Sequence, residues 1–222
     1  MRSRGDVRLE QVLLEAQRRS LIGKLPIAGQ VAHSKGFLEA LCREAFEGPV
    51  LELGAGGGLP GLVLAIEDPG LHLVLLDSAR RSVDFLDWAV AELQLSSRVR
   101  IVTARAEEAG RDEDYRGQFA AVVARSFARP AVTAECAAPF LQVGGRLVVS
   151  EPPAGPAEPT PVAGPAPPPT GRWPVEGCAE LGLVPELAIR GAFGFAVLRQ
   201  RTLCPERYPR RPGIPAKRPL FS

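Results

Sequence analysis

The stretch that decides the fold is Glu52-Leu53-Gly54-Ala55-Gly56-Gly57-Gly58-Leu59-Pro60-Gly61. Before it, Val50-Leu51-Glu52-Leu53 reads as a short apolar strand; after it, Leu62 to Ile66 opens in helical spacing. Glycines in such a strand-to-helix turn take positive φ and let a ligand approach the backbone closely. A GxGxG match alone is weak, but an acid at the end of the next strand strengthens it. Asp77 is that acid, following the strand-like Leu71-His72-Leu73-Val74-Leu75-Leu76. A carboxylate there can accept both hydroxyls of an adenosine ribose.

Outward from this turn, strands and helices alternate. Ala79 to Leu93 is an amphipathic helix with Val83, Leu86, Ala89, Val90 and Leu93 inward. Val99 to Thr103, Phe119 to Ala124 and Gly145 to Ser150 read as strands, and Ala131 to Leu141 as a helix. Strands rich in Val, Leu and Ile between helices argue for a mostly parallel twisted sheet covered on both faces. Right-handed crossovers wind it into a Rossmann-like α/β fold. Leu183 to Arg190 and Phe193 to Gln200, joined by Gly191-Ala192, form an expected antiparallel hairpin at the end. At the start, Leu9 to Arg19 and Phe37 to Phe46 have helical spacing, with an unassigned Gly- and Pro-punctuated connection between them. From Pro152 to Pro169, nine of eighteen residues are proline, so that stretch reads as an extended insertion. The expected organisation is a helical segment over 1–48, a cofactor-binding core over 49–151, the Pro-rich insertion over 152–172, a helix and hairpin over 173–202, and a basic tail over 203–222.

The 222 residues suit one such domain, and 45% hydrophobic content is enough for a core. No apolar run reaches the roughly 18 to 20 residues of a membrane span, and Met1 to Asp6 is followed by no signal-like apolar region. Cys42, Cys136, Cys178 and Cys204 lie far apart, which argues against a metal site or disulfide framework and for a reducing, cytoplasmic setting. The net charge of +2 hides basic ends: from Arg199 to Ser222 seven basic residues stand against one acidic, and from Met1 to Lys24 six against three. Such ends either meet phosphates or are merely solvated.

Two features favour S-adenosylmethionine (SAM) over a nicotinamide dinucleotide. Glu52 can pair with the ammonium of an amino acid or orient the loop. Gly58-Leu59-Pro60-Gly61 crowds the helix start where a pyrophosphate wants free amides, and proline removes one. A sheet closed by an antiparallel pair is also typical of class I SAM-dependent methyltransferases.

A set of motifs then resembles one family. Leu53-Gly54-Ala55-Gly56-Gly57-Gly58-Leu59-Pro60-Gly61, Leu75-Leu76-Asp77-Ser78, Arg81-Ser82-Val83-Asp84-Phe85-Leu86, Glu92-Leu93-Gln94-Leu95, Ala104-Arg105-Ala106-Glu107-Glu108 and Val123-Ala124-Arg125-Ser126 occur in its order and spacing. It is the family of 16S ribosomal RNA (guanine-N7) methyltransferases (RsmG, or glucose-inhibited division protein B). Tyr208 to Leu220 is similar to the tail of many members. The resemblance implies that Gly54 and Leu59, with Gly56 and Gly58 of the same turn, line the SAM site. It implies that Asp77, beside Ser78, holds the ribose, that Ala106 and Glu107 meet the adenine, and that Arg125 reaches the point where cofactor and base meet. No metal and no catalytic base is implied, and the partner is ribosomal RNA in the small subunit, met by a monomer. Arg105 is as readily structural as functional, a lone His33 reads more readily as structural, and Trp173 and Phe193 read as packing residues.

The departures fall on the RNA side. The family's Trp-Asn and Asn-Leu-Thr stretch is missing, and Ala32-His33-Ser34 only faintly echoes its Arg-His-Ile-Leu-Asp-Ser segment. Glu151-Pro152 replaces Lys-Gly, and Phe193-Gly194 stand where the last hairpin carries an arginine. A small-molecule methyltransferase, a non-catalytic SAM-sensing RNA-binding paralog and a dehydrogenase remain alternatives.

Overall fold

A computed structural model describes residues 4–42, 47–152, 171–189 and 192–222. Residues 153–170 of the expected Pro-rich insertion lie outside them. Helices α1 (Arg4–Arg18) and α2 (Ile27–Leu41) precede the sheet. Then follow β1 (Val50–Leu53), α3 (Gly61–Glu67), β2 (Leu73–Asp77), α4 (Arg80–Glu92), β3 (Val99–Thr103), α5 (Ala106–Ala109), β4 (Phe119–Ala124) and α6 (Pro130–Ala137). The chain ends with β5 (Leu141–Glu151), α7 (Val175–Ala179), β6 (Leu183–Ile189), β7 (Gly194–Gln200) and α8 (Ile214–Lys217). The seven strands run in the order β3-β2-β1-β4-β5-β7-β6. Pairing is parallel from β3 to β5 and antiparallel for β5–β7 and β7–β6. This is the expected α/β sheet with its closing hairpin. The strand order reverses between β1 and β4, which opens a crevice at their carboxyl ends.

Alternation along each strand builds two cores. Val50, Leu73, Leu75, Ala121 and Val123 face α1 to α4, while Leu51, Leu53, Leu76, Val122 and Ala124 face α5, α6, α7 and the C-terminal segment. The continuous apolar runs of β1 and β4 follow from this two-sided burial.

Three expectations need correction. The second helix begins at Ile27, ten residues before Phe37, inside the connection that sequence left unassigned. Its Gly36 is a contact point: a Cβ there would lie 2.7 Å from the Phe195 ring, so the residue that weakens the helical pattern is what lets α2 press on β7. The helix ends at Leu41, and Phe46 lies outside the described residues. The helix expected over Ala131 to Leu141 stops at Ala137, because Pro139 supplies no amide and a short 3₁₀ turn carries the chain into β5. β5 itself starts at Leu141, not Gly145, after which its register on β4 shifts between Phe119 and Ala121.

Candidate functional site

The turn after β1 is built on three left-handed glycines, Gly54, Gly56 and Gly58, with φ of 70°, 53° and 82°. The amides of Gly54 and Ala55 donate to the Leu76 carbonyl, and the Gly58 amide donates to Ala55, so the turn is fixed to the end of β2. Glu52 is 1% exposed, and its Oε2 accepts the Gly61 amide at 2.9 Å at the start of α3. Its geometry is thus that of a loop-orienting residue, while Oε1 has no hydrogen-bond partner among the described residues. Burial pushes the Glu52 carboxyl up to about 8, against the Gly61 hydrogen bond and the positive charge of Arg125.

Asp77 turns toward the glycines. Its Oδ2 accepts the Gly56 amide at 2.7 Å and its Oδ1 the Ala79 amide at 2.8 Å. Ser78, next to it, is exposed. Leu59 and Ala106 are largely buried at the turn and at the start of α5. Glu107 faces elsewhere: its Oε1 accepts the Gly213 amide at 2.9 Å, and Arg105 Nε lies 3.6 Å from Oε2. Its carboxylate therefore fastens the C-terminal segment to α5, and Arg105 is its ion-pair partner.

Arg125 follows β4 at the crevice. Its Nη2 donates to Gln30 Oε1 at 3.2 Å, and its Nη1 is buried without a partner among the described residues. Burial lowers the guanidinium pKa and the nearby Glu52 raises it. Gln30 had no place in the sequence reading. It is 2% exposed, and its Nε2 donates to the carbonyls of Gly23 and Leu25. The available signal was spacing, because Gln30, Ser34, Phe37 and Leu41 form the inner stripe of α2. The segment that Gln30 grips, between α1 and α2, places Leu21 and Ile22 against Gly57, and Phe127 covers Gly54.

Beside Arg125 opens a cleft of about 430 Å³, lined among others by Gln30, His33, Phe127, Trp173 and Phe193. His33 lies in an aromatic group with Phe37, Phe193 and Phe195, at centroid distances of 5.7, 4.9 and 5.5 Å. Burial, helped by the Arg125 charge, lowers the His33 pKa to about 4, so the ring is neutral at ordinary pH. Trp173 packs in the core, 1% exposed, with Nε1 donating to Glu151 Oε1. Arg172 holds the other oxygen of Glu151 at 2.8 Å.

The basic C-terminal residues are not a free arm. Arg116 donates to the carbonyls of Cys204, Pro205 and Tyr208. Arg210 chelates Glu135, and Arg199 and Arg201 both pair with Glu186. Arg207, Arg211, Lys217 and Arg218 remain exposed.

A family model described as "GidB: rRNA small subunit methyltransferase G" matches residues 35–151. A protein of Rubrobacter xylanophilus named ribosomal RNA small subunit methyltransferase G is 37% identical over 173 residues, 78% of this chain and 65% of that protein. One of the same name from Thermotoga sp. is 38% identical over 181 residues, 81% of this chain and 75% of its own length. This chain thus spans about two thirds to three quarters of these relatives. A putative O-methyltransferase from Klebsiella pneumoniae superposes with a TM-score of 0.57 at 17% identity, over 87% of this chain and 90% of that one. That likeness speaks for the fold, which is the class I methyltransferase fold. The turn, the acid and the arginine all lie within the matched segment, and the chain belongs to the rRNA small subunit methyltransferase G family.

Proposed function

We propose that this chain methylates N7 of a guanine in 16S ribosomal RNA, working on the small ribosomal subunit in the cytoplasm as a monomer. The observation that carries this reading is the Asp77 carboxylate held against the glycine turn, beside the cleft that Arg125 and Gln30 line.

The residues present fit SAM. Each Asp77 oxygen spends one lone pair on an amide, which leaves others for the two ribose hydroxyls. Glu52 Oε1 and Arg125 Nη1, buried with no hydrogen-bond partner among the described residues, complement the ammonium and carboxylate of an amino acid. Gly54, Gly56, Gly58 and Leu59 would pass along the ligand, with Ser78 beside its ribose. Ala106 would present its backbone to the adenine. Glu107, spent on Gly213, would shape that subsite through α5.

When bound, SAM supplies a sulfonium methyl that the N7 lone pair takes as the S–C bond breaks and its electron pair returns to sulfur. N7 carries no proton, so the site needs no general base, and a neutral His33 with a pKa of about 4 is a poor one. The task left to the protein is to hold N7, methyl and sulfur in line. The test is transfer of labelled methyl to small subunits from a strain lacking the enzyme, followed by mass mapping of the RNA. Label at a guanine N7 is the expected result. SAM binding without transfer to RNA would favour the sensing alternative.

A further inference from the structure

We infer that the cleft between α2, the carboxyl ends of β4 and β5, and the residues that lead into β7 seats the acceptor base, extruded from the RNA and stacked on the rings of His33 and Phe193. This rests on the RNA-methylation reading and names the part of the protein that holds the substrate.

In an A-form helix, N7 faces a deep, narrow major groove that side chains cannot enter. A recessed methyl donor therefore reaches it only if the base leaves the stack. The cleft has the size for that: about 430 Å³ lies inside the range of about 300 to 1,000 Å³ of small-molecule sites. It also has the right neighbours, because Phe127, which covers Gly54, and Arg125, whose charge acts on Glu52 at the end of β1, line it as well.

Its wall has the chemistry of a stacking platform. Phe37 and Phe195 are 0% and 2% exposed and form the floor of the aromatic group, while His33 and Phe193 are partly exposed and reach the cleft. The two upper rings lie 4.9 Å apart at 42°, and His33 is stacked at 25° on Phe195, which fixes its plane. Base–aromatic stacking is strong and tolerant of base identity. The product adds a further demand: a guanine methylated at N7 is a cation. Aromatic faces accept a cation. The neutral state of His33 avoids adding a second positive charge next to Arg125.

The test uses the full chain with tritiated SAM and undermethylated small subunits. His33→Ala and Phe193→Ala are each expected to lower kcat/KM for the subunit roughly 10- to 100-fold, with the Kd for SAM by calorimetry unchanged within about twofold. Phe193→Tyr and His33→Phe, which keep a ring, recover most of the loss. Wild-type transfer by Phe193→Ala and His33→Ala would overturn the inference and leave the proposed function standing. A parallel loss of SAM affinity would make the rings simple packing and also overturn it. A wild-type chain that binds SAM and methylates no RNA would remove the proposed function and this subsite with it.

Discussion

The Asp77 carboxylate accepts the Gly56 amide at 2.7 Å and so ties the end of β2 to the turn that leaves β1. Both partners sit at the carboxyl ends of neighbouring parallel strands, where ligands of open α/β sheets bind. Hydrogen bonds to a charged group contribute about 1.5–3 kcal/mol each. Asp77→Ala should therefore raise the Kd for SAM at least about 10-fold in calorimetry, with a smaller rise for Asp77→Asn, which keeps one acceptor. An unchanged Kd would take Asp77 out of the cofactor site.

Glu52 makes stability depend on pH. In the unfolded chain its carboxyl has the ordinary value of 4.5, and burial raises it to about 8 in the fold. The folded state then binds a proton that the unfolded state lacks, so this contribution is complete below 4.5 and is lost as pH rises through 8. Glu52→Gln stays neutral and keeps an acceptor for the Gly61 amide. It should match the wild type near pH 5 and exceed it at pH 8.5 by at least about 3 °C in Tm, the shift that ~1 kcal/mol produces at this chain length. Parallel melting curves across that range would exclude the buried carboxyl as the cause. Saturating SAM should shrink the gap if its ammonium meets Oε1.

The C-terminal segment owes more to Glu135 than to solvent. Glu135 is fully buried and receives the Arg210 backbone amide at 2.9 Å, Nε at 2.8 Å and Nη2 at 2.6 Å. Removing one partner strands a buried carboxylate, a loss of about 3 kcal/mol or more. Arg210→Ala should thus lower Tm by roughly 6–12 °C. Arg211→Glu, Lys217→Glu and Arg218→Glu together, all at exposed positions, should leave Tm nearly unchanged. If that surface meets phosphates, the triple variant also binds RNA with a salt dependence weaker by about one unit per lost contact. A triple variant with wild-type RNA affinity and salt slope would place the RNA elsewhere.

What the sequence made legible was local. The glycine turn, Asp77 and the β-strands around them rest on short-range patterns: consecutive apolar residues, a turn that needs positive φ, an acid at a strand end. Arg125 was readable for the same reason, since it directly follows a buried strand. What stayed hidden depends on distant partners. Gly36 looks like a helix breaker until Phe195 is seen against it. By resemblance Glu107 is expected to meet the adenine, until Gly213, 106 residues away, is seen donating to it. The basic C-terminal run leaves phosphate contact and a solvated arm equally open, yet Arg210 is neutralised by Glu135 across 75 residues. Gln30 belongs to no motif, and beyond its helical spacing with Ser34, Phe37 and Leu41 only its burial beside Arg125 marks it.

Gln30 also yields the sharpest separation of roles. Its Nε2 donates to Gly23 and Leu25 in the segment whose Leu21 and Ile22 lie on the glycine turn, and its Oε1 accepts from Arg125. One buried amide therefore joins the cover of the glycine turn to the arginine at the cleft. The two halves can be cut apart. Gln30→Glu keeps an acceptor for Arg125 and loses both donors to the segment; Gln30→Met loses everything at similar size. A buried polar partner left alone costs about 1–3 kcal/mol, so both variants should melt below the wild type. If Gln30 also positions Arg125, methyl transfer at saturating SAM should fall about 10-fold or more in Gln30→Met and much less in Gln30→Glu. Equal activity losses in the two variants would assign Gln30 to the segment alone.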